Sequence, residues 1–316
     1  MERAGEPFGS RRDAKVDLAP ARFLVLAYLG VILCGALLLA LPQAVRDGEA
    51  LPFIDALFTA ASAVCVTGLT VVDPAAELSL FGQLVLLTLI QVGAVGILTI
   101  STFFLLLLGR RVRLQDRMLL QHDLNYDLLS GLVRLVRQVV ATALLIEAAG
   151  AALLYVFLRP SHPGTALYYA AFHAVSAFAN AGFTLFEGSL EGLRGNWGAL
   201  VVFSFLIEAG SIGFSVLQEL REFPRRRRLS LHAKVALATT GALLAFGTLL
   251  VLSLEWRSAR TLGGTGLAQR ALDAFFLTAT ARTAGFGTFP AAALGEATLF
   301  ALMGLMFIGA SPGFTG

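Results

Sequence analysis

Charged residues are scarce in this sequence: they make up 14% of its 316 residues, whereas 57% are hydrophobic. A soluble domain of this length needs more charge to cover its surface. The composition therefore argues against a soluble fold and favours a protein that crosses a membrane several times. Cysteine is scarcer still, since Cys34 and Cys65 are the whole complement and neither belongs to a CxxC or Cys/His cluster. A disulfide framework and a zinc site are not expected.

Long apolar runs are abundant, and they predict an all-α polytopic membrane protein. A bilayer-spanning helix needs about 20 apolar residues. The segments that approach this requirement are 23–41, 78–108, 139–158, 199–217, 235–254 and 297–316. Further apolar runs that are too short to span lie at 53–69, 166–183 and 271–286. Each of these is a candidate for a re-entrant segment or for an amphipathic helix at the membrane surface.

Basic residues cluster on alternate sides of the predicted spans. The clusters precede the first span, follow the second and follow the fourth, where residues 225–228 are all arginine. By the positive-inside rule these connections and the N-terminus are expected in the cytoplasm, with the spans in the cell inner (plasma) membrane. A weaker cluster of Arg257, Arg260 and Arg270 partly contradicts that rule. Because the clusters adjoin membrane-length segments, nucleic-acid binding is not expected.

The three short runs share one pattern. They read FTAASAVCVTGLTV from Phe58, FHAVSAFANAGFTL from Phe172 and FFLTATARTAGFGT from Phe275. In each, a phenylalanine stands ten residues before a glycine, and a large apolar residue follows that glycine directly. Internal repetition at matched positions indicates one structural unit used several times.

A short helix followed by an irregular segment explains this pattern. We expect a helix of about ten residues that ends at the glycine, after which the chain returns to the outer surface. Backbone carbonyls left without partners at membrane depth are tolerated only inside protein or beside a water-filled cavity. Such carbonyls can replace the water around a cation, and the C-terminal ends of the helices add negative partial charge there. The plainer alternative is that each glycine is an ordinary helix C-cap.

Five stretches of the sequence resemble the Trk/Ktr/HKT superfamily of potassium transporters. They are SAVCVTGLTVVD at 62–73, QVGAVGILT at 91–99, HAVSAFANAGF at 173–183, TARTAGFGT at 280–288 and MFIGASPGFTG at 306–316. The resemblance implies four helix–loop–helix repeats around one pore, as in potassium channels. The short N-terminus is similar to that of the Ktr-type membrane subunit.

The resemblance also implies site residues and partners. The family's selectivity-filter positions correspond to Val66, Thr67, Gly68, Asn180, Ala181, Gly182, Thr283, Ala284 and Gly285. Sodium-preferring plant relatives often carry serine at the first filter glycine, so Gly68 favours potassium. The implied transported ion is potassium, with sodium as the alternative or as a coupled ion, and no cofactor is expected. The implied partners are a second copy of the chain and a cytoplasmic nucleotide-binding regulatory subunit (KtrA/TrkA-like).

The sequence accounts for three of the four repeats. We expect a cytoplasmic N-terminus at 1–22, pore repeats at 23–108, 139–220 and 235–316, and cytoplasmic linkers at 109–138 and 221–234. The third repeat is expected to be truncated, and the chain to be a fragment. It ends within the family's intramembrane gate loop, which corresponds to Gly309, Ala310, Ser311, Pro312, Gly313, Phe314, Thr315 and Gly316. Phe314 stands where serine is usual, and Ala94 where glycine is common.

Several polar residues lie within apolar segments. Arg282 would repel potassium if it faced the pore, so it is expected to lie behind the filter, paired with a carboxylate or loop carbonyls and supporting the loop. We interpret Glu147 and Glu208 as each forming a hydrogen bond to a neighbouring helix. The alternative is that they form a sodium or proton coupling site. His173 is read as a packing residue. Asp273 is expected near the positive end of the third short helix.

Two other classes of function fit the sequence less well. An intramembrane serine protease would use Ser176 or Ser311 with a histidine base, but no matched pair at membrane depth is evident beyond His173. The chain is therefore not expected to be an enzyme. A secondary transporter of a small organic solute, with its binding site at broken helices, is the remaining alternative.

Overall fold

The structure, a computed structural model, describes residues 19–109, 124–263 and 266–310. These residues form α-helices joined by loops and short 3-10 turns. The helices are α1 (Ala19–Leu39), α2 (Phe53–Val64), α3 (Leu80–Gly109), α4 (Leu124–Leu158), α5 (Ala166–Ala179), α6 (Trp197–Ser211), α7 (Phe214–Arg226), α8 (Leu231–Glu255), α9 (Leu267–Thr283) and α10 (Glu296–Ile308). The predicted all-α class is confirmed by this architecture.

The helices follow one arrangement three times. The helix that precedes each repeated glycine packs against the helices before and after it in the chain: α2 against α1 and α3, α5 against α4 and α6, and α9 against α8 and α10. Among the described residues, α3, α4 and α8 contain stretches long and apolar enough to cross a membrane. The described apolar part of α1 and the whole of α10 are shorter.

The fourth predicted span, 199–217, is not one helix, and this expectation was wrong. α6 ends at Ser211, α7 begins at Phe214, and the two axes meet at 106°. The break falls at Gly213, whose φ of +86° and ψ of 150° are open to glycine and to few other residues. The apolar run continues past the break, so its composition gives no sign of the change of direction.

The three short helices are longer than expected and end before their glycines. They have 12, 14 and 17 residues in chain order. α2 ends at Val64, α5 at Ala179 and α9 at Thr283, so that one to three residues separate each helix from its glycine. The glycine therefore belongs to the loop and is not the terminating residue of the helix.

Each repeat has its own apolar core, and aromatic side chains join neighbouring cores. The core of α1–α3 includes the buried rings of Phe172 and Phe183 from the second repeat. The core of α4–α6 likewise includes Phe276 and Phe286 from the third. The repeats thus pack in chain order, each receiving side chains from the next.

Candidate functional site: three glycine loops

The three repeated glycines have nearly the same backbone conformation. Gly68, Gly182 and Gly285 have φ values of +77°, +71° and +75°. L-residues rarely adopt this left-handed region, which explains why glycine recurs at these positions. The spacing in the sequence thus identified three equivalent backbone positions.

The ends of the short helices turn backbone carbonyls toward these loops. The amide of Thr67 donates to the carbonyl of Ser62 at 2.8 Å, and the amide of Ala181 donates to that of Ser176 at 2.8 Å. Each bond spans five residues and closes a Schellman-type helix end. The turn residues are Val66 and Asn180, with φ of +54° and +60°. A β-branched residue with this φ is strained, and among the described residues Val66 is the β-branched residue that adopts it.

The loops lie side by side in chain order. A Cβ atom placed on Gly68 would be 2.5 Å from the carbonyl oxygen of Ala181, and one on Gly182 would be 2.5 Å from that of Ala284. Real Cβ atoms essentially never approach an oxygen this closely. Two separate constraints therefore require glycine at each of these positions: the positive φ and the close approach of the next loop. The backbones of consecutive loops are therefore in direct contact at these glycines.

Hydrogen bonds join the second and third loops directly. The hydroxyl of Thr283 donates to Oδ1 of Asn180 at 2.8 Å. Farther along, the amide of Leu190 donates to the carbonyl of Gly287 at 2.8 Å. The amide of Gly287 donates to the hydroxyl of Ser189 at 3.0 Å. Two residues predicted for the filter, Asn180 and Thr283, thus contact each other through their side chains.

The second loop is also bound to its own short helix. The hydroxyl of Ser176 donates to the carbonyl of Phe183 at 2.6 Å, one residue after the glycine. Nε2 of the fully buried His173 accepts from the amide of Leu185 at 3.2 Å. Nδ1 lies 2.7 Å from the carbonyl of Tyr169, so the ring proton is on Nδ1. Ser176 donates to a carbonyl, and no hydrogen bond to a described histidine engages it, so the described residues do not pair this serine with a histidine base.

Arg282 is buried behind the third loop. Its guanidinium lies 3.1 Å from Oε2 of Glu208 on α6 and donates from Nε to the carbonyl of Gly309 at 3.3 Å. The expected carboxylate partner is thus Glu208. Gly309 ends α10 with φ of +64°, and Ala310 follows it. The remaining predicted gate residues, Ser311, Pro312, Gly313, Phe314, Thr315 and Gly316, lie outside the described residues.

Comparison with known proteins identifies the family. The family model described as "Cation transport protein" (TrkH) matches residues 17–316. The chain belongs to the TrkH cation transport protein family. It is similar to the Ktr system potassium uptake protein B of Bacillus subtilis, with 37% identity over 301 residues, 95% of this chain and 67% of that protein. It is likewise 37% identical over 306 residues to the potassium/sodium uptake protein NtpJ of Enterococcus hirae, covering 96% of this chain and 68% of the relative.

A solved structure has the same fold. The crystal structure of the potassium transporter TrkH from Vibrio parahaemolyticus matches with a TM-score of 0.72 and 19% identity. The match covers 98% of this chain and 60% of the TrkH chain. At that identity the likeness concerns the fold alone.

Two further polar residues of this TrkH-family chain have structural partners. Both oxygens of the buried Glu147 on α4 accept from Nε2 of Gln91 on α3 at 3.1 Å. This is the expected hydrogen bond to a neighbouring helix. Asp273 was expected near the start of its helix, but α9 begins six residues earlier, at Leu267. Its carboxylate is paired with Arg194 at 3.1 Å, so the expected role at the helix end was wrong.

Sequence reasoning missed what His173 does in this member of the family. The packing interpretation agrees with its complete burial, but the imidazole also accepts a hydrogen bond from the amide of Leu185, which follows the second glycine loop. A histidine nine residues before the repeated glycine was the available signal. Its counterparts at the same spacing are Thr59, whose hydroxyl is buried without a hydrogen-bond partner in the described residues, and Phe276.

Proposed function

We propose that this chain is the pore-forming membrane subunit of a potassium uptake system, and that its glycine loops form the selectivity filter. The observation that carries the proposal is the side-by-side packing of the loops. Gly68 and Gly182 each lie against the carbonyl oxygen of the next loop, so the loop backbones of three repeats meet at one place. Carbonyl oxygens gathered in this way replace the hydration shell of a monovalent cation.

The remaining filter residues support the geometry in different ways. Val66, Thr67, Ala181 and Ala284 contribute backbone at the turn, whereas Asn180 and Thr283 join two loops by a hydrogen bond. Arg282, neutralised by Glu208 and placed behind the loop, supports the third loop without facing the ion. Because the ligands are backbone atoms, selectivity depends on how rigidly the loops are held.

The relatives favour potassium and keep sodium as a second candidate. One relative is a potassium uptake protein, and another is a potassium/sodium uptake protein. We favour potassium for this chain because glycine stands at position 68 in the first loop. A carrier of a small organic solute, the alternative from another class, is not supported by these relatives.

Substitution of Gly68 tests the filter. In the full-length protein reconstituted into liposomes, Gly68→Ser should lower the ratio of potassium to sodium flux, because the added atoms meet the carbonyl of Ala181. Gly241→Ser in α8 is the matched control, since a Cβ there meets nothing within 4 Å. An unchanged ratio in Gly68→Ser would exclude the filter assignment. Potassium flux that an organic solute inhibits by competition would favour the organic-solute carrier.

The partners and orientation are proposed together. We place the protein in the cell inner (plasma) membrane with a cytoplasmic N-terminus, as a homodimer that binds a cytoplasmic nucleotide-binding regulatory subunit. The gate is assigned to the segment beginning at Gly309 and Ala310, below the filter. The contact of Arg282 with the Gly309 carbonyl supports this assignment, because it joins that segment to the helix that precedes the third loop.

A further inference from the structure

α7 follows α6 at a steep angle and runs along one end of the helix bundle. The 106° bend at Gly213 means that if α6 crosses the bilayer, α7 lies nearly parallel to its surface. Trp197 begins α6 and Trp256 follows α8, so both exposed indoles lie at the opposite end of this helix pair. Tryptophan prefers the membrane–water interface. α7 therefore lies at the level of the other interface.

One face of α7 is apolar, and only its first half is covered by protein. Val216 is fully buried in a cluster with Ile212, Ala233 and Ala236. Leu220 and Phe223 continue the same face toward the end of the helix, with 36% and 43% of their surface exposed. An apolar face of this kind is stable against the acyl boundary of a bilayer.

The end of α7 and the turn after it are strongly basic. Residues 214–228 contain five arginines and two glutamates. Arg225, Arg227 and Arg228 are exposed, and no side-chain hydrogen bond or ion pair to another described residue engages them. The turn is held in place by Glu219, whose carboxylate accepts from the amide of Ser230 at 2.8 Å and from its hydroxyl at 2.7 Å. The arginines are thus attached to a fixed turn.

We propose that the end of α7 and the turn to α8 form a binding site for anionic phospholipids. Arg225, Arg227 and Arg228 bind the headgroup phosphates, and Leu220 and Phe223 enter the acyl boundary beside them. Basic side chains at a membrane surface attract anionic lipids, each with a modest free energy that adds across a cluster. An acidic soluble protein would match the arginines alone, whereas a lipid surface matches both the charge and the exposed apolar side chains. The site is independent of which ion the protein transports.

Lipid retention by the purified full-length protein tests this site. The detergent-solubilised protein is mixed with equal amounts of phosphatidylglycerol and phosphatidylcholine, and the lipids that remain bound are measured by native mass spectrometry. The wild type should retain phosphatidylglycerol preferentially. The triple variant Arg225→Gln, Arg227→Gln, Arg228→Gln should reduce that preference by about tenfold or more. An excess of inorganic phosphate should not displace the lipid, because phosphate lacks the acyl chains.

A charge-matched control separates the site from total charge. Arg159→Gln, Arg257→Gln, Arg260→Gln removes the same charge from exposed positions at the opposite end and should leave the preference unchanged. Leu220→Gln with Phe223→Gln tests the apolar part and should weaken retention of both lipids. If the first triple variant is monodisperse and retains phosphatidylglycerol like the wild type, the proposal is wrong. If it instead loses only the binding of a purified cytoplasmic partner, the arginines serve a protein interface.

Discussion

His173 illustrates how a single side chain fixes the second glycine loop, which we propose to bind ions through its backbone. Its ring is fully buried, stacks on Phe186 with ring centroids 4.4 Å apart, and accepts from the amide of Leu185. Leucine or phenylalanine would fill the same space without accepting that hydrogen bond. A buried amide left without its acceptor costs about 1–3 kcal/mol.

We therefore expect His173→Phe to lower both the unfolding temperature and the ratio of potassium to sodium flux. His173→Gln keeps an acceptor and should recover part of both. Thr59→Val is the matched control, because Thr59 in α2 stands at the same spacing before Gly68 and its buried hydroxyl has no partner in the described residues. Equal losses in His173→Phe and Thr59→Val would show that the hydrogen bond plays no particular part. Liposome flux and thermal unfolding measure the two effects.

Arg282 and Glu208 form a buried pair between the second and third repeats, at 3.1 Å. Removal of one partner leaves the other charge without compensation, so Arg282→Gln should destabilise the protein by about 3 kcal/mol or more. The double variant Arg282→Gln, Glu208→Gln removes both charges and should recover much of that loss. A double-mutant cycle on thermal unfolding measures the coupling. Additive losses would mean that the two side chains do not act as a pair.

At the scale of the helix, α6 and α7 show a change of chain direction that sequence patterns do not predict. The repeated spacing predicted three loop glycines, and all three have the left-handed conformation that glycine supplies. Gly213 has the same freedom but lies within an apolar run that continues on both sides. Glycine is common within membrane helices, so a single one does not predict a break. The direction of α7 is set by packing against α8 and α3, which no local pattern reveals.

Gly213→Ala tests whether the break is required. Its φ of +86° with ψ of 150° is strained for alanine, and we expect a loss of about 1–3 kcal/mol in unfolding free energy. The control Gly241→Ala lies within α8, where a Cβ meets nothing within 4 Å. Because alanine favours helix, this control should be neutral or stabilising by up to about 1 kcal/mol. Chemical or thermal unfolding of both variants in one detergent compares them. Equal stability would mean that α6 and α7 can straighten.

At the scale of the whole molecule, the repeats are held together by aromatic rings that pass from one core into the preceding one. This arrangement could be anticipated only in part. Phe172 stands at the repeated phenylalanine position, and Phe183 and Phe286 stand at the large apolar position after the glycine. A repeated pore unit was expected from this pattern. Which core each ring enters depends on how the repeats are placed around the loops, and spacing along the chain carries no such information. The contacts of Asn180 with Thr283 and of Arg282 with Glu208 were hidden for the same reason, since their partners are far apart in sequence.

Phe183→Ala tests the packing between repeats. Phe183 is buried in the core of the first repeat, so truncation should cost about 3–5 kcal/mol in unfolding free energy. Phe307→Ala removes the same group from a side chain that is 92% exposed and should change stability little in the same detergent. Thermal unfolding separates the two. A small effect at Phe183 would indicate that the repeats hold together without this ring.

The contacts between the loop glycines differ from one loop to the next. Gly68 lies against the carbonyl of Ala181, and Gly182 lies against that of Ala284. An atom added at Gly68 displaces the second loop, and one added at Gly182 displaces the third. A substitution at Gly68 therefore meets one neighbouring loop, whereas one at Gly182, the middle loop, meets both, and one at Gly285 meets neither within 4 Å. The three glycines share one backbone conformation, but they are not interchangeable sites of mutation.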